Sequence, residues 1–170
     1  MTDGADGGAR AARAVIALGA NLGDRYETLA AAEREIAALA GVSAIRMSTP
    51  VESVAITLDG PDPDKPGYVN AVAIVETTLA PVALLAELNA IENAHGRVRE
   101  ERWGDRTLDL DVIAYADVRS ADPHLTLPHP RAHERDFVLA PWLELDPDAV
   151  VPGRGRVADL LAELGKADAS

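Results

Sequence analysis

The sequence predicts an α+β domain with the element order β-α-β-β-α-β, the ferredoxin-like arrangement, followed by a C-terminal helical extension. Three observations predict it. Apolar runs of strand character occur at 14–18, 43–54, 68–77 and 107–115. Two stretches of helical period, one after the first run and one before the last, each carry a single apolar stripe. The intervals between them are rich in Gly, Pro and Asp, which end elements instead of continuing them. An antiparallel four-stranded sheet with both helices on one face would bury both stripes.

Residues 1–12 are Gly-, Ala- and Asp-rich and predict a disordered tail. The domain is expected over 13–165, with 166–170 a flexible end. Ala14 to Leu18 reads as a short buried strand ended by Gly19. Asp24 can cap a helix, with Glu27 three residues on. Leu29, Ala32, Ile36 and Leu39 mark one helical face, and Gly41 is the expected stop. Ser43 to Val54 reads as one extended strand, with Pro50 placing it at an edge or bulge. Leu58 to Gly67, holding three prolines, is a loop. In Tyr68 to Thr77, the residues Tyr68, Asn70, Val72 and Ile74 share one face. Pro81 suits a first helical turn, and Leu84, Leu88 and Ile91 form the stripe that follows. Thr107 to Tyr115 is the last core strand. A helix near Phe137 to Leu145 and a short one at Val157 to Leu164 complete the chain.

A chain of 170 residues suits one domain with a sizeable core. A net charge of -12 argues against nucleic acid as a partner. The absence of cysteine excludes disulfides, thiolate metal sites and thiol nucleophiles. No apolar run approaches the roughly 20 residues of a membrane span, and the N-terminus lacks a signal peptide's apolar stretch. A cytoplasmic location without membrane contact is expected, and no obligate protein partner is evident.

Within this acidic chain, Arg97, Arg99, Arg102 and Arg106 crowd into ten residues. Asp109 and Asp111 follow at i and i+2, which on a strand point to one side. Carboxylates on one face beside a group of guanidinium ions suit a divalent cation and a polyphosphate held together. A solvated arginine loop is the plain alternative. On the second helix Leu85, Asn89 and Glu92 line one edge of the stripe; they are a solvated boundary or polar groups aimed at a ligand. Tyr68 beside Asn70 suits a flat heterocycle, the ring stacking and the amide reading an edge. Trp103 and Phe137 would complete such a slot. His129 lies between two prolines in a rigid turn. There is no P-loop and no H-E-x-x-H, so nucleotide phosphates would be held by arginines and metal.

Several strings together resemble the 6-hydroxymethyl-7,8-dihydropterin pyrophosphokinase family, from about Val15 to Pro152. They are Leu18-Gly19-Ala20-Asn21-Leu22-Gly23, Tyr68-Val69-Asn70, Arg102-Trp103-Gly104-Asp105-Arg106-Thr107-Leu108-Asp109-Leu110-Asp111, and Leu125 to Pro130 with Arg135 and Phe137. The resemblance implies transfer of an intact pyrophosphoryl group from ATP to the pterin hydroxymethyl oxygen, releasing AMP, within folate biosynthesis. It implies two Mg2+ ions on Asp109 and Asp111. Arg97, Arg99, Arg106 and Arg135 match phosphate-facing arginines, with Arg102 in a loop, 96–104, that closes as a lid. Asn89 and Glu92 match nucleotide contacts, as do Leu125, Thr126 and His129. Tyr68 and Phe137 match the faces that sandwich the pterin, Ser53 and Asn70 match further pterin contacts, and Trp103 closes over the site.

Departures from the family pattern fall on the pterin side and on the nucleotide side. The family's T-x-P-x-G-like segment is here Ser53-Val54-Ala55-Ile56-Thr57, and the loop to Pro66 is lengthened. Asn89 stands for a usual Gln, Ala20 for a Ser, and Asp105 for a Pro. Two other readings accompany this one: a different Mg2+-dependent nucleotidyl or phosphoryl transferase on the same fold, and a non-catalytic nucleotide-binding domain.

Overall fold

The structure is a computed structural model and describes residues 11–20, 24–53, 56–57, 60–61, 67–96 and 108–169. The elements in chain order are β1 (Ala12–Ala20), α1 (Arg25–Ala37), β2 (Val42–Met47), β3 (Val51–Ser53), β4 (Ile56–Thr57) and β5 (Gly60–Pro61). Then come β6 (Tyr68–Thr77), α2 (Pro81–Gly96), β7 (Leu108–Tyr115), β8 (Ser120–Asp122), β9 (Leu125–Leu127) and a 3-10 turn (Ala132–Glu134). The chain finishes with α3 (Asp136–Leu145), β10 (Val150–Val151), β11 (Gly155–Arg156) and α4 (Val157–Ala169).

The main sheet has the order β2-β6-β1-β7, with β3 continuing along β6 beyond β2. Every pairing is antiparallel, so the expected α+β sheet is present. The strand period of two assigns the two faces. Ile16, Leu18, Val69, Ala71, Ala73, Leu108 and Leu110 point to α1 and α2, meeting Leu29, Ile36, Leu84 and Leu88. Val15, Val72, Ile74, Ile113 and Ala114 point the other way and meet α3, α4 and Trp142. The C-terminal extension is thus a third layer, absent from the two-layer expectation.

Local signals account for the ends of the elements, with some corrections. Asp24 caps α1, its side chain accepting the Glu27 N–H at 3.1 Å. Glu27 does not return the bond, because its carboxylate pairs with Arg34 at 3.0 Å. The helix stops at Ala37, ahead of Gly41. Gly41 instead turns the chain into β2 at φ 95°, where an added Cβ would lie 2.8 Å from Leu79 Cγ. The single strand expected over 43–54 is two. Between them Ser48 Oγ accepts the Val72 N–H at 2.9 Å and Ser48 N–H donates to Val72 O at 2.8 Å. That side-chain bond replaces a ladder rung, and Pro50 follows it, so the chain steps before pairing with β6 again. Within the expected loop, Gly60–Pro61 pairs with Ile56–Thr57. α4 runs to Ala169, beyond the expected Leu164. Among the described residues no helix is long and apolar enough to cross a membrane.

Candidate active site

Gly19 does not end β1, as its glycine character suggested; it lies inside the strand and decides the shape of the site. It pairs with Asn70 on one side and Asp109 on the other. One step back, Ala17 pairs with Val72 and with Asp111. These residues point to the face carrying α3, at the end of the sheet that α3 and α4 leave uncovered. The bare backbone of Gly19 and the methyl group of Ala17 make a floor. Asn70, with Tyr68 beyond it, rises on one side, and Asp109 and Asp111 rise on the other. The result is a cleft of about 530 Å³. Ser53, Phe137, Val138, Arg131 and Arg135 complete its walls.

What glycine at 19 relieves is contact, not backbone strain. A Cβ there would lie 3.2 Å from Asn70 Oδ1 and 3.4 Å from Tyr68 Cδ1. Asn70 is buried, and its Nδ2 donates to Ser53 Oγ at 2.8 Å. With the amide nitrogen so engaged, Oδ1 is the atom that overhangs Gly19. The first residues of α1 brace the strands on which this side is built. Arg25 donates to Gly67 O at 2.8 Å, just before Tyr68. Tyr26 Oη donates to Glu52 Oε2 at 2.8 Å, just before Ser53.

Phe137 sits in the first turn of α3, where the guanidinium of Arg135 lies 5.9 Å from its ring centroid, within cation–π range. The far end of α3 is tied to the β2–β3 corner. Glu144 accepts from both N and Oγ1 of Thr49 at 3.0 Å, and Arg46 donates to Leu145 O at 3.0 Å. The helix that carries Phe137 is therefore anchored to the corner that leads into the strand carrying Ser53.

His129 is bound to β7 through its backbone N–H, which donates to Ile113 O at 2.8 Å. Its Nδ1 accepts the Arg131 N–H at 3.1 Å, which leaves Nε2 as the protonated nitrogen of the neutral ring. Burial lowers its pKa from the ordinary histidine value; Asp111 opposes this, and Arg135 and Arg131 reinforce it. His129 itself is not among the residues that line the cleft; Arg131, to which it is hydrogen-bonded, is.

Of the residues singled out from the sequence, Ser53, Tyr68, Asn70, Asp109, Asp111, Arg135 and Phe137 line this one cleft. Four of the nucleotide candidates, Asn89, Glu92, Leu125 and Thr126, lie by the outer edge of β7 instead, whereas Arg135 is in the cleft wall. Asn89 and Glu92 are on α2, and Glu92 Oε2 accepts the Leu110 N–H at 2.6 Å. Leu125 and Thr126 are on β9, where Thr126 Oγ1 donates to Asp122 O at 3.0 Å. Arg97, Arg99, Arg102, Trp103 and Arg106, with the expected lid, lie outside the described residues. The sequence reading gave Gly19, Ala17 and Arg131 no place in the site, although Gly19 stands in one of the family strings. Arg131 stands four residues before Arg135 and carries an exposed pair with Glu134 at 3.3 Å. That spacing was the available signal for it.

Residues 15–147 match the family described as 7,8-dihydro-6-hydroxymethylpterin-pyrophosphokinase (HPPK). A 2-amino-4-hydroxy-6-hydroxymethyldihydropteridine pyrophosphokinase of Haemophilus influenzae is 43% identical over 151 residues, covering 89% of this chain and 92% of that protein. The protein of the same name from Mycobacterium tuberculosis H37Rv is 39% identical over 170 residues, covering 92% and 86%. In fold, the chain is similar to wild-type Plasmodium falciparum HPPK-DHPS, with a TM-score of 0.66 at 12% identity. That match covers 91% of this chain and 41% of the other. With its family matched across the sheet, both core helices and α3, the chain belongs to the 7,8-dihydro-6-hydroxymethylpterin-pyrophosphokinases.

Proposed function

We propose that the cleft transfers the pyrophosphoryl group of ATP to 6-hydroxymethyl-7,8-dihydropterin as a step of folate biosynthesis. Family membership supports the activity. The observation that carries the assignment to this cleft is that an aromatic–amide slot and a carboxylate pair occupy one floor, separated by a single glycine. Another phosphoryl transferase, or a nucleotide-binding domain without catalysis, has no use for that slot.

In this reading the pterin lies between Tyr68 and Phe137. Both are half-buried, so each ring has a face available beside the cleft. Asn70 Oδ1, oriented by Ser53, accepts from a ring N–H of the pterin. The hydroxymethyl oxygen attacks the β-phosphorus, the bond between that phosphorus and the α,β-bridging oxygen breaks, and AMP leaves with that oxygen. The hydroxyl proton passes to water in the same step. Charge spreads over the phosphoryl oxygens, so positioning and electrostatic stabilisation carry most of the rate. Arg135 and Arg131 border that region, His129 supplies a neutral donor, and we assign Arg97, Arg99, Arg102 and Arg106 to the same task.

Asp109 and Asp111 fit Mg2+. They are hard oxygen ligands on one strand face, and among the described residues no third His, Asp or Glu joins them. A site of two carboxylates completed by substrate phosphates is the usual Mg2+ arrangement. When bound, such ions neutralise polyphosphate charge and lower the pKa of a coordinated hydroxyl. We assign two ions to this pair. A cytoplasmic location and independence of protein partners belong to the same proposal.

The test is product analysis. Incubation with ATP, Mg2+ and the dihydropterin is expected to yield AMP and pterin pyrophosphate in equal amounts. ADP formation, or AMP release indifferent to the pterin, would refute the assignment.

A further inference from the structure

We propose that Glu92 is a positioning residue for the Asp109/Asp111 pair and acts through the backbone of β7. The proposal rests on those aspartates holding the cation. It differs from direct contact with the nucleotide, the role the resemblance gives Glu92.

Among the described residues β7 is the outermost strand of the main sheet, with β1 on one side only. In an antiparallel ladder, alternate residues turn their N–H and C=O toward the neighbour and away from it. Leu110 stands between the two aspartates. Its N–H is turned away from β1 and donates to Glu92 Oε2 at 2.6 Å, a short, charge-assisted bond. The donor at this point of the edge is therefore satisfied by a carboxylate, which also removes it as a template for another strand.

The support behind Glu92 is rigid. Leu84 and Leu88 of α2 are 0% exposed, and Ile91, the residue before Glu92, is buried with them. The Leu110 side chain is 1% exposed in the same layer. So α2 grips Leu110 twice, by side-chain packing and by the carboxylate on its N–H. Asp109 and Asp111 leave the strand on the opposite face from one residue before and one after this point. Their separation follows the local pleat, and the Glu92 bond holds the pleat. Hard-cation sites demand accurate ligand spacing, and groups that orient the ligands typically cost about 10–100-fold in metal affinity when removed.

The test compares Glu92→Ala, Glu92→Gln, Glu92→Asp and Asp109→Asn with the unmodified chain. Amide hydrogen exchange at Leu110 is read in the ligand-free protein. Calorimetry then gives the affinity for a nonhydrolysable ATP analogue without metal, and for Mg2+ added to the analogue-saturated protein. Glu92→Ala is expected to speed Leu110 exchange and to weaken Mg2+ binding about tenfold or more, with metal-free analogue binding kept. Glu92→Gln retains an acceptor oxygen and is expected to keep the exchange protection. Glu92→Asp keeps the charge but shortens the reach, so it should lose protection and Mg2+ affinity; it carries the test if Glu92→Ala does not fold. Loss of metal-free analogue affinity in Glu92→Ala matching its loss for Mg2+ would overturn the proposal in favour of a nucleotide contact. Unchanged Mg2+ affinity in Glu92→Ala, with Asp109→Asn impaired, would overturn it while leaving the aspartate assignment standing. Normal Mg2+ binding by Asp109→Asn would overturn that assignment and this proposal with it.

Discussion

Asn70 gives its amide nitrogen to Ser53 Oγ at 2.8 Å, and this bond determines which end of the amide overhangs the cleft. Without it the amide can rotate and present a donor to the pterin's own donors. Ser53→Ala is therefore expected to weaken pterin binding about tenfold, as loss of a buried hydrogen bond of about 1 kcal/mol plus a wrongly turned amide would do. ATP affinity should be unchanged. Calorimetry with each ligand checks it, and equal loss for both would refute the separation of the two subsites.

Phe137→Ala removes one face of the slot. Stacking of a flat base on an aromatic ring contributes about 1–3 kcal/mol, so pterin affinity should fall about tenfold or more. Because the Phe137 ring also neighbours the Arg135 guanidinium, a smaller loss of ATP affinity is expected. A larger loss for ATP than for pterin would place Phe137 on the phosphate side.

Gly19→Ala tests the floor. Its Cβ would stand 3.2 Å from Asn70 Oδ1, so the Asn70 amide must shift by a few tenths of an ångström, while Tyr68 Cδ1 at 3.4 Å is in ordinary contact. The backbone angle at Gly19 is not in the left-handed region, so the strand itself should tolerate alanine. The expected outcome is a nearly unchanged melting temperature with clearly weakened pterin binding. Global unfolding of the variant would show that the glycine serves the sheet instead of the site.

Asp109→Ala and Asp111→Ala should each lower turnover by about two orders of magnitude or more, the scale of one lost transition-state electrostatic contact. Folding should change far less, since both side chains stand at the cleft and not in either core. AMP release measured across a Mg2+ series checks this. Near-normal rates in either variant would remove that carboxylate from the proposed cation site.

His129 sets an expectation for pH. Burial is the main cause of its lowered pKa, so the folded chain takes up this proton at a lower pH than the unfolded chain, where histidine titrates around pH 6.5. In the window between the two values the unfolded state holds more protons, and stability rises with pH. The contribution is complete above the unfolded value and is lost as pH falls toward the folded one. His129→Gln has no such titration. Relative to it, the unmodified chain should lose melting temperature between about pH 7 and pH 5. A constant gap between the two across that range would contradict the half-buried neutral ring.

What the sequence determined by itself was local. Strand period places Tyr68, Asn70, Val72 and Ile74 on one face and Val69, Ala71 and Ala73 on the other, and side-chain alternation needs no partner to be read. The same rule put Asp109 and Asp111 together. Asp24 as a cap and Pro81 in a first turn were legible for the same reason, because their chemistry acts within a few residues. The tertiary structure decided what lies between strands distant in the chain. Gly19 read as a strand end, because nothing near it in sequence shows that Asn70 and Asp109 flank it on both sides. Arg131 drew no reading from the sequence, and the turn before α3 brings it to the cleft. Glu92 read as a helix-boundary residue or a ligand contact, and only the docking of α2 beside an edge strand set its carboxylate on the Leu110 N–H. Pairing across a sheet depends on which strands become neighbours, a choice made by the burial of both faces together and not by any one segment.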